Sequence, residues 1–266
     1  MVPLILHIPH ASTAIPPECV ADFLLDGDGL SPHLAASTDH FTDELFALSD
    51  PWATTITFPI SRLVVDPERF EDDAAEPMAA RRLGVLYERG HDGEQIRDTT
   101  PPDRRQWYLE RWYRPHHAAL EAAVEQSIAR SGAALIVDCH SYPGAPLAVD
   151  LDQSVPRPDG CLGTSGKHTP QWLVDAGLRF AAEHGWTVEV DRPYAGSIVP
   201  MRHFGKDLRV RSIMVEINRD RYMQVEGGVA RKSVGFDATR RFVLGLISTL
   251  RDATQSNYQF QRRGFP

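Results

Sequence analysis

The sequence predicts an α/β fold built on a mostly parallel or mixed central sheet, and two observations carry that prediction. Short apolar or β-branched runs, bounded by polar or turn residues, alternate along the chain with longer amphipathic stretches. No internal repeat and no low-complexity tract breaks the alternation. A chain of 266 residues fits a single domain over 1–266, since α/β folds of this length commonly stay whole.

The elements follow in order. Leu4 to Ile8, "LILHI", reads as a strand buried on both faces, and "FTDELFAL" from Phe41 to Leu48 as a short helix. Thr54 to Phe58 and Leu63 to Val65 are the next strand candidates, being β-branched or apolar between turn residues. From Arg104 to Arg130 a long helix places Trp112, His116, Leu120, Ala123 and Ser127 on one stripe, with Pro115 expected to kink or split it. Ala134 to Asp138, Thr187 to Val190 and Ile213 to Ile217 complete the strands; Thr169 to His184 and Phe236 to Arg251 complete the helices. Residues 71–101 and 141–168 mix Pro, Gly and charge without periodicity, and loops of that length in a compact domain are expected to wall or cover a cleft.

Composition narrows the function. Apolar residues at 42% and charged residues at 24% describe a globular chain with a sizeable core. Cys19, Cys139 and Cys161 are odd in number and lack a CxxC spacing, which argues against a disulfide scaffold or a cysteine-rich zinc site. The apolar run before His7 is too short for a signal segment, and no later run reaches the ~18 apolar residues of a membrane span, so a reducing, cytoplasmic setting is expected. A net charge of −8 with no basic block disfavours nucleic acid as a partner. A small acidic substrate held by a few local arginines stays compatible with that charge, because distant charges are screened.

Three strands end in side chains that bind metals or move protons: "LHIPH", "LIVDCHS" and "IMVEINRD". Ligands bind outside the carboxyl ends of strands in open α/β sheets, so these ends mark a site. His10 and His140 are the candidate histidine ligands, and zinc takes such histidines with one acid and a position left for water. Asp39 and Asp43 in "STDHFTDELF" both offer that acid, although capping of the following helix explains an acid there equally well. Glu216 lies deep in an apolar run, where desolvation raises a carboxylate toward the range of a general base; a structural ion pair with Arg219 is the alternative. Arg62, Arg69 and Arg202 are candidates to clamp substrate carboxylates, against ordinary surface pairing. His7 reads as scaffold, His116 and His117 as structural, and His33, His40, His91, His168 and His184 carry no claim.

"HIPHASTAIPPE", "STDHFTDELF", "SRLVVDPERF", "VDCHSYP", "RPDGCLGTSG", "YAGSIVPMRHFG" and "EINRDRYM" occur in that order between residues 4 and 223. Together they resemble the successive motifs of the N-formylglutamate amidohydrolase family, also called N-formylglutamate deformylases. The resemblance implies a three-layer α/β/α fold similar to the zinc carboxypeptidases. It further implies metal-dependent hydrolysis of N-formyl-L-glutamate to formate and glutamate in histidine breakdown. Its pattern puts weight on His10, Asp39, Arg62, Asp66, Arg69, His140 and Glu216. It favours Asp39 as the third ligand without excluding Asp43. Two departures stand out: the first motif reads His10-Ala11-Ser12 where His-Ser/Ala-Gly is common, and Glu68 replaces a frequent Asn before Arg69.

The expected mechanism is therefore metal-assisted amide hydrolysis, with zinc held by His10, Asp39 and His140, Glu216 as general base, and Arg62, Arg69 and Arg202 on the substrate. The competing readings are a zinc hydrolase of another N-acyl amino acid or small peptide, a noncatalytic carboxylate-binding homologue, and a non-haem iron protein using the same ligand set.

Overall fold

The computed structural model describes residues 1–226 and 228–262. A six-stranded sheet runs through it: β1 (Leu4–Ile8), β2 (Ala53–Thr57), β3 (Ala134–Tyr142), β4 (Gly160–Gly163), β5 (Val188–Val190) and β6 (Val210–Asn218), in the order β2-β1-β3-β6-β4-β5. The first four strands in that order are mutually parallel, and β4 pairs antiparallel to β6 while β5 pairs parallel to β4. A separate hairpin joins β7 (Met223–Glu226) to β8 (Val229–Lys232). The sheet is mixed and mostly parallel, as expected.

The helices are α1 (Pro17–Val20), α2 (Gly27–Ser37), α3 (Thr42–Leu45), α4 (Pro102–Tyr108), α5 (Arg114–Ser131), α6 (Gln171–Glu183) and α7 (Phe236–Arg262). Among the described residues no helix is long and apolar enough to cross a membrane. Successive strand residues point to opposite faces, and the two faces divide the core. Leu4, Leu6, Leu135, Val137, Ile213 and Val215 pack with Leu173 of α6 and Val243, Leu246 and Leu250 of α7. Ile5, Ala134, Ile136 and Val210 face the other way, onto Leu120, Ala123 and Val124 of α5. Each side chain of this size removed from water stabilises the fold by about 1.5–3 kcal/mol.

Pro115 acts as expected on the long helix. Between α4 and α5 the backbone widens into a π-helical turn at Leu109–Tyr113, because a proline one step into α5 gives no N–H to the preceding turn and its ring displaces the carbonyl there.

Leu63 to Val65 is not a strand. These residues lie in turns, with Val64 N–H donating to the Ser61 carbonyl, and the buried guanidinium of Arg97 donates to the Leu63 and Val64 carbonyls. A side chain satisfies the backbone that a neighbouring strand would otherwise pair. The apolar side chains instead join Phe58, Leu83, Val85, Ile96 and Tyr108 in a cluster away from the sheet. The short helix forecast from Phe41 narrows to α3, since Phe41 itself has φ +64°. β4 lies inside the stretch 141–168, which together with 71–101 contributes to the walls of one large cavity.

Candidate active site

The cavity, of about 1040 Å³, opens over the carboxyl ends of β1, β3 and β6. On one sheet face the residues change character along the strands. His7 of β1 lies beside Asp138 of β3, and His140 of β3 lies beside Glu216 of β6. The two-residue period puts Asp138 and His140 on the same face and turns Cys139 into the apolar core. His10 follows two residues after β1, and its carbonyl accepts from the Asp39 N–H at 2.9 Å. That backbone bond brings the connection between α2 and α3 to the strand end.

The structure gathers His10, Asp39 and His140, each almost fully buried, with one ligand atom from each within 4.8 Å of the others. His140 Nδ1 is 3.2 Å and His10 Nδ1 3.7 Å from the same oxygen, Asp39 Oδ2. The outward-facing atoms are held from behind. His10 Nε2 bonds Asp66 at 2.8 Å, His140 Nε2 bonds Asp138 at 3.1 Å, and Asp39 Oδ1 accepts from Arg219 at 2.9 Å. A carboxylate on the far nitrogen of each imidazole fixes its tautomer and makes its near nitrogen a better donor to a metal.

His10 Nδ1 is buried with no hydrogen-bond partner. An orphaned buried acceptor is costly unless something fills the space before it, and two imidazole nitrogens with one carboxylate oxygen match a zinc-class ion. The residues present therefore fit a divalent metal. Asp39 does not cap α3, since its side chain is committed to His140, Ser141 N–H and Arg219, and Asp43 is exposed on α3.

The electrostatics follow from burial against close partners. Burial alone would raise Asp39 and Asp66, yet the nearby His10, His140 and Arg219 hold the first, and Arg62 with His10 hold the second, well below the usual carboxylate range. His140 is raised well above an ordinary imidazole, Asp138 overcoming its burial. Glu216 is pushed up to about 8, chiefly by burial, and its Oε2 is buried without a partner. The alternative ion pair with Arg219 is not made, because that guanidinium is used by Asp39, Ser141 and the Ala36 carbonyl.

The three forecast arginines separate. Arg62 lines the cavity but gives its Nε and Nη2 to Asp66. Arg69 also lines it; its Nε is buried without a hydrogen-bond partner, and its nearest carboxylate oxygens, on Asp66 and Glu76, are 3.6 and 3.9 Å away. Arg202 does not join the cavity lining. It sits in the turn after Pro200, 66% exposed, with its guanidinium drawn to Glu121 and Glu125 on α5.

Two groups escaped the sequence reading. Arg219, directly after β6 in "EINRD", orients Asp39 from 180 residues away. His7, read as scaffold, sits in a charged network: its Nδ1 is 2.8 Å from Asp138 and 3.1 Å from Glu68, and its Nε2 is 2.8 Å from His116 Nε2. Burial alone would lower His7, but Asp138 and Glu68 raise it to about 9, while burial and His7 itself lower His116 to about 2. A protonated His7 thus donates to Asp138 and to a neutral His116, with Glu68 in ion-pair range. Glu68 is engaged by this imidazolium rather than set against Arg69.

Known proteins share this fold. Among solved structures, N-formylglutamate amidohydrolase from Ralstonia eutropha JMP134 is similar at 26% identity, with a TM-score of 0.79 over 99% of this chain and 95% of that one. A gene product of Agrobacterium tumefaciens shares the fold at 20% identity and a TM-score of 0.66, over 96% of this chain and 91% of that one. No curated protein sequence matches. The family model for N-formylglutamate amidohydrolase matches residues 2–223, and the chain belongs to that family.

Proposed function

We propose that this chain is a metal-dependent N-formylglutamate amidohydrolase, with the metal held by His10 Nδ1, Asp39 Oδ2 and His140 Nδ1. Family membership makes it a hydrolase acting on an amide C–N bond. The observation that carries the metal reading is the orphaned His10 Nδ1 facing two other donors, each backed by its own hydrogen-bonded partner. A bound zinc-class ion would supply Lewis-acid polarisation of the formyl oxygen and bring the pKa of water toward about 7.

The chain's own residues do the rest. Arg69, with its unpartnered Nε, takes a substrate carboxylate and fixes the amide in the cavity. Glu216, beside His140 across the β3–β6 ladder, removes a proton from the attacking water. Water oxygen adds to the formyl carbon, the C–N bond breaks, and Glu216 returns the proton to the departing nitrogen. Formate and glutamate result. Arg62 keeps Asp66 ionised and so keeps His10 oriented. Arg202 has no part in this reading.

A second reading is favoured by one observation, the size of the cavity. About 1040 Å³ is at the upper end of small-ligand pockets and well above what a twelve-heavy-atom substrate fills, so larger N-acyl amino acids are candidates. The test is release of the acyl group from a panel of N-formyl and longer N-acyl amino acids, before and after chelation and with zinc restored. N-formyl-L-glutamate should give the highest kcat/KM, chelation should abolish it and zinc should restore it. A longer acyl group winning supports the second reading; unchanged turnover in the chelated protein rejects the metal.

A further inference from the structure

A second histidine cluster lies outside the residues used above. His33 on α2 is 2% exposed, and its Nδ1 is 2.8 Å from Nδ1 of His91, in the loop between Arg89 and Gln95. The Oδ1 of Asp92 is 3.8 Å from the same His33 nitrogen. One ligand atom from each of His33, His91 and Asp92 lies within 4.8 Å of the others. His33 Nε2 is 3.2 Å from Glu94 Oε2.

We propose that His33, His91 and Asp92 form a second divalent-metal site, selective for a zinc-class ion, with Glu94 orienting His33 from behind. Donating Nε2–H to Glu94 leaves His33 Nδ1 bare and turned toward His91, the arrangement by which Asp66 and Asp138 hold His10 and His140. Two imidazoles and a carboxylate suit zinc, nickel or copper; magnesium and calcium want oxygen ligands.

The loop is shaped for the approach. Gly90 N–H donates to the Glu94 carbonyl and Gly93 N–H to the Gly90 carbonyl, with Gly93 at φ +89°, so the tip is closed on itself. A Cβ at Gly90 would stand 2.1 Å from His33 Nδ1, and its absence lets the two imidazoles meet. A tetrahedral ion with bonds of about 2.0–2.1 Å spaces its donors about 3.3–3.5 Å apart. The 2.8 Å pair must open and the 3.8 Å pair close, each by roughly half an ångström. Asp92 is half-exposed and can make that movement. The hydrogen now shared between the two Nδ1 atoms passes to His91 Nε2 as the ion enters.

The site shares no residue with the His10 cluster. Ala36 and Ser37 of α2, and Gly90 and His91 of the loop, line the large cavity, so an ion here would tie α2 to the loop on the cavity wall. It would stabilise the folded chain in proportion to occupancy.

The experiment is zinc titration of the chelator-stripped full chain, read as ions per chain by native mass spectrometry and as affinity by competition with a chromophoric chelator. Wild type is expected to take two zinc ions. His91→Gln and Asp92→Asn, at partly exposed positions that leave the core intact, should weaken one of the two at least tenfold and spare the other. His140→Ala should lose the other and keep the one at His33. Cobalt added in place of zinc should give two sets of visible bands, of which one disappears in His91→Gln. The proposal is overturned if His140→Ala binds no zinc, or if His91→Gln binds as many ions as wild type with unchanged affinity.

Discussion

Glu216→Gln removes the ionisable carboxyl and its basic oxygen while keeping the shape of the side chain. The position is 6% exposed, faces His140 across the ladder and has an oxygen without a hydrogen-bond partner, so Gln neither opens a cavity nor breaks a bond that holds the fold. It carries no charge to desolvate, and the stripped variant should melt no lower than wild type. If Glu216 moves the proton from water to the leaving nitrogen, kcat falls by about 10² to 10⁴, or roughly 3 to 5 kcal/mol of transition-state stabilisation. KM should move little, because Arg69, His10, Asp39 and His140 are untouched. Formate release from N-formyl-L-glutamate at saturating substrate reads the first effect, the substrate dependence reads the second, and zinc content shows that the metal site stays loaded. A variant with normal zinc content and kcat within threefold of wild type refutes the assignment of the base.

Asp66→Asn keeps a hydrogen bond to His10 Nε2 but loses the charge behind it, and zinc affinity by chelator competition should fall 10- to 100-fold. Arg69→Ala should raise KM for N-formyl-L-glutamate by at least tenfold, with a smaller change in kcat; Arg202→Ala, on an exposed surface pair, should leave both constants within twofold. His7 has a folded-state pKa raised to about 9 from 6.5, so the folded chain holds the extra proton. Its contribution of about 3 kcal/mol is complete below pH 6.5 and is lost as pH rises through 9. Urea midpoints of chelator-treated wild type and His7→Gln at pH 6 and 9.5 check this: wild type should lose more on the alkaline side, and equal losses would count against it.

What was legible in the sequence was what the sheet itself dictates. β1, β3 and β6 announce themselves by their apolar runs, and the polar residues at or just past the carboxyl ends of those runs, His10, His140 and Glu216 among them, stand out against the apolar stretch. Local pattern failed where contacts are distant or the composition misleads. Leu63 to Val65 is as apolar as a strand, and only the buried Arg97, more than 30 residues on, decides otherwise. β4 contains two glycines in four residues, and α2 carries two glycines and a proline, so neither shows a clean period. Arg202 looked equivalent to Arg69 because sequence does not say which way a turn points. His33 and His91 are 58 residues apart in unremarkable contexts, and only the fold makes them neighbours.

The placement of the site has a physical reason that joins sheet and helix. Along one face the strands hold Ile5, Ala134, Ile136 and Val210 beneath Leu120, Ala123 and Val124 of α5. One step further toward the carboxyl ends the face holds His7 and Asp138, and one helical turn before Leu120 the stripe of α5 turns from leucine to His116, which sits 2.8 Å from His7. Helix and sheet thus turn polar at the same level. Had only the strands changed, His7 and Asp138 would lie under an apolar helix face with their polar atoms short of partners. Had only the helix changed, His116 would be the orphan. The matched change lets the fold keep a buried charged layer there, and His140, whose Nε2 bonds Asp138, stands on that layer rather than on a mobile loop. A side chain built this way is held by the same packing that holds the core; on the proposed reading of His140 as a metal ligand, loosening the core under α5 at Leu120 should weaken zinc binding together with stability.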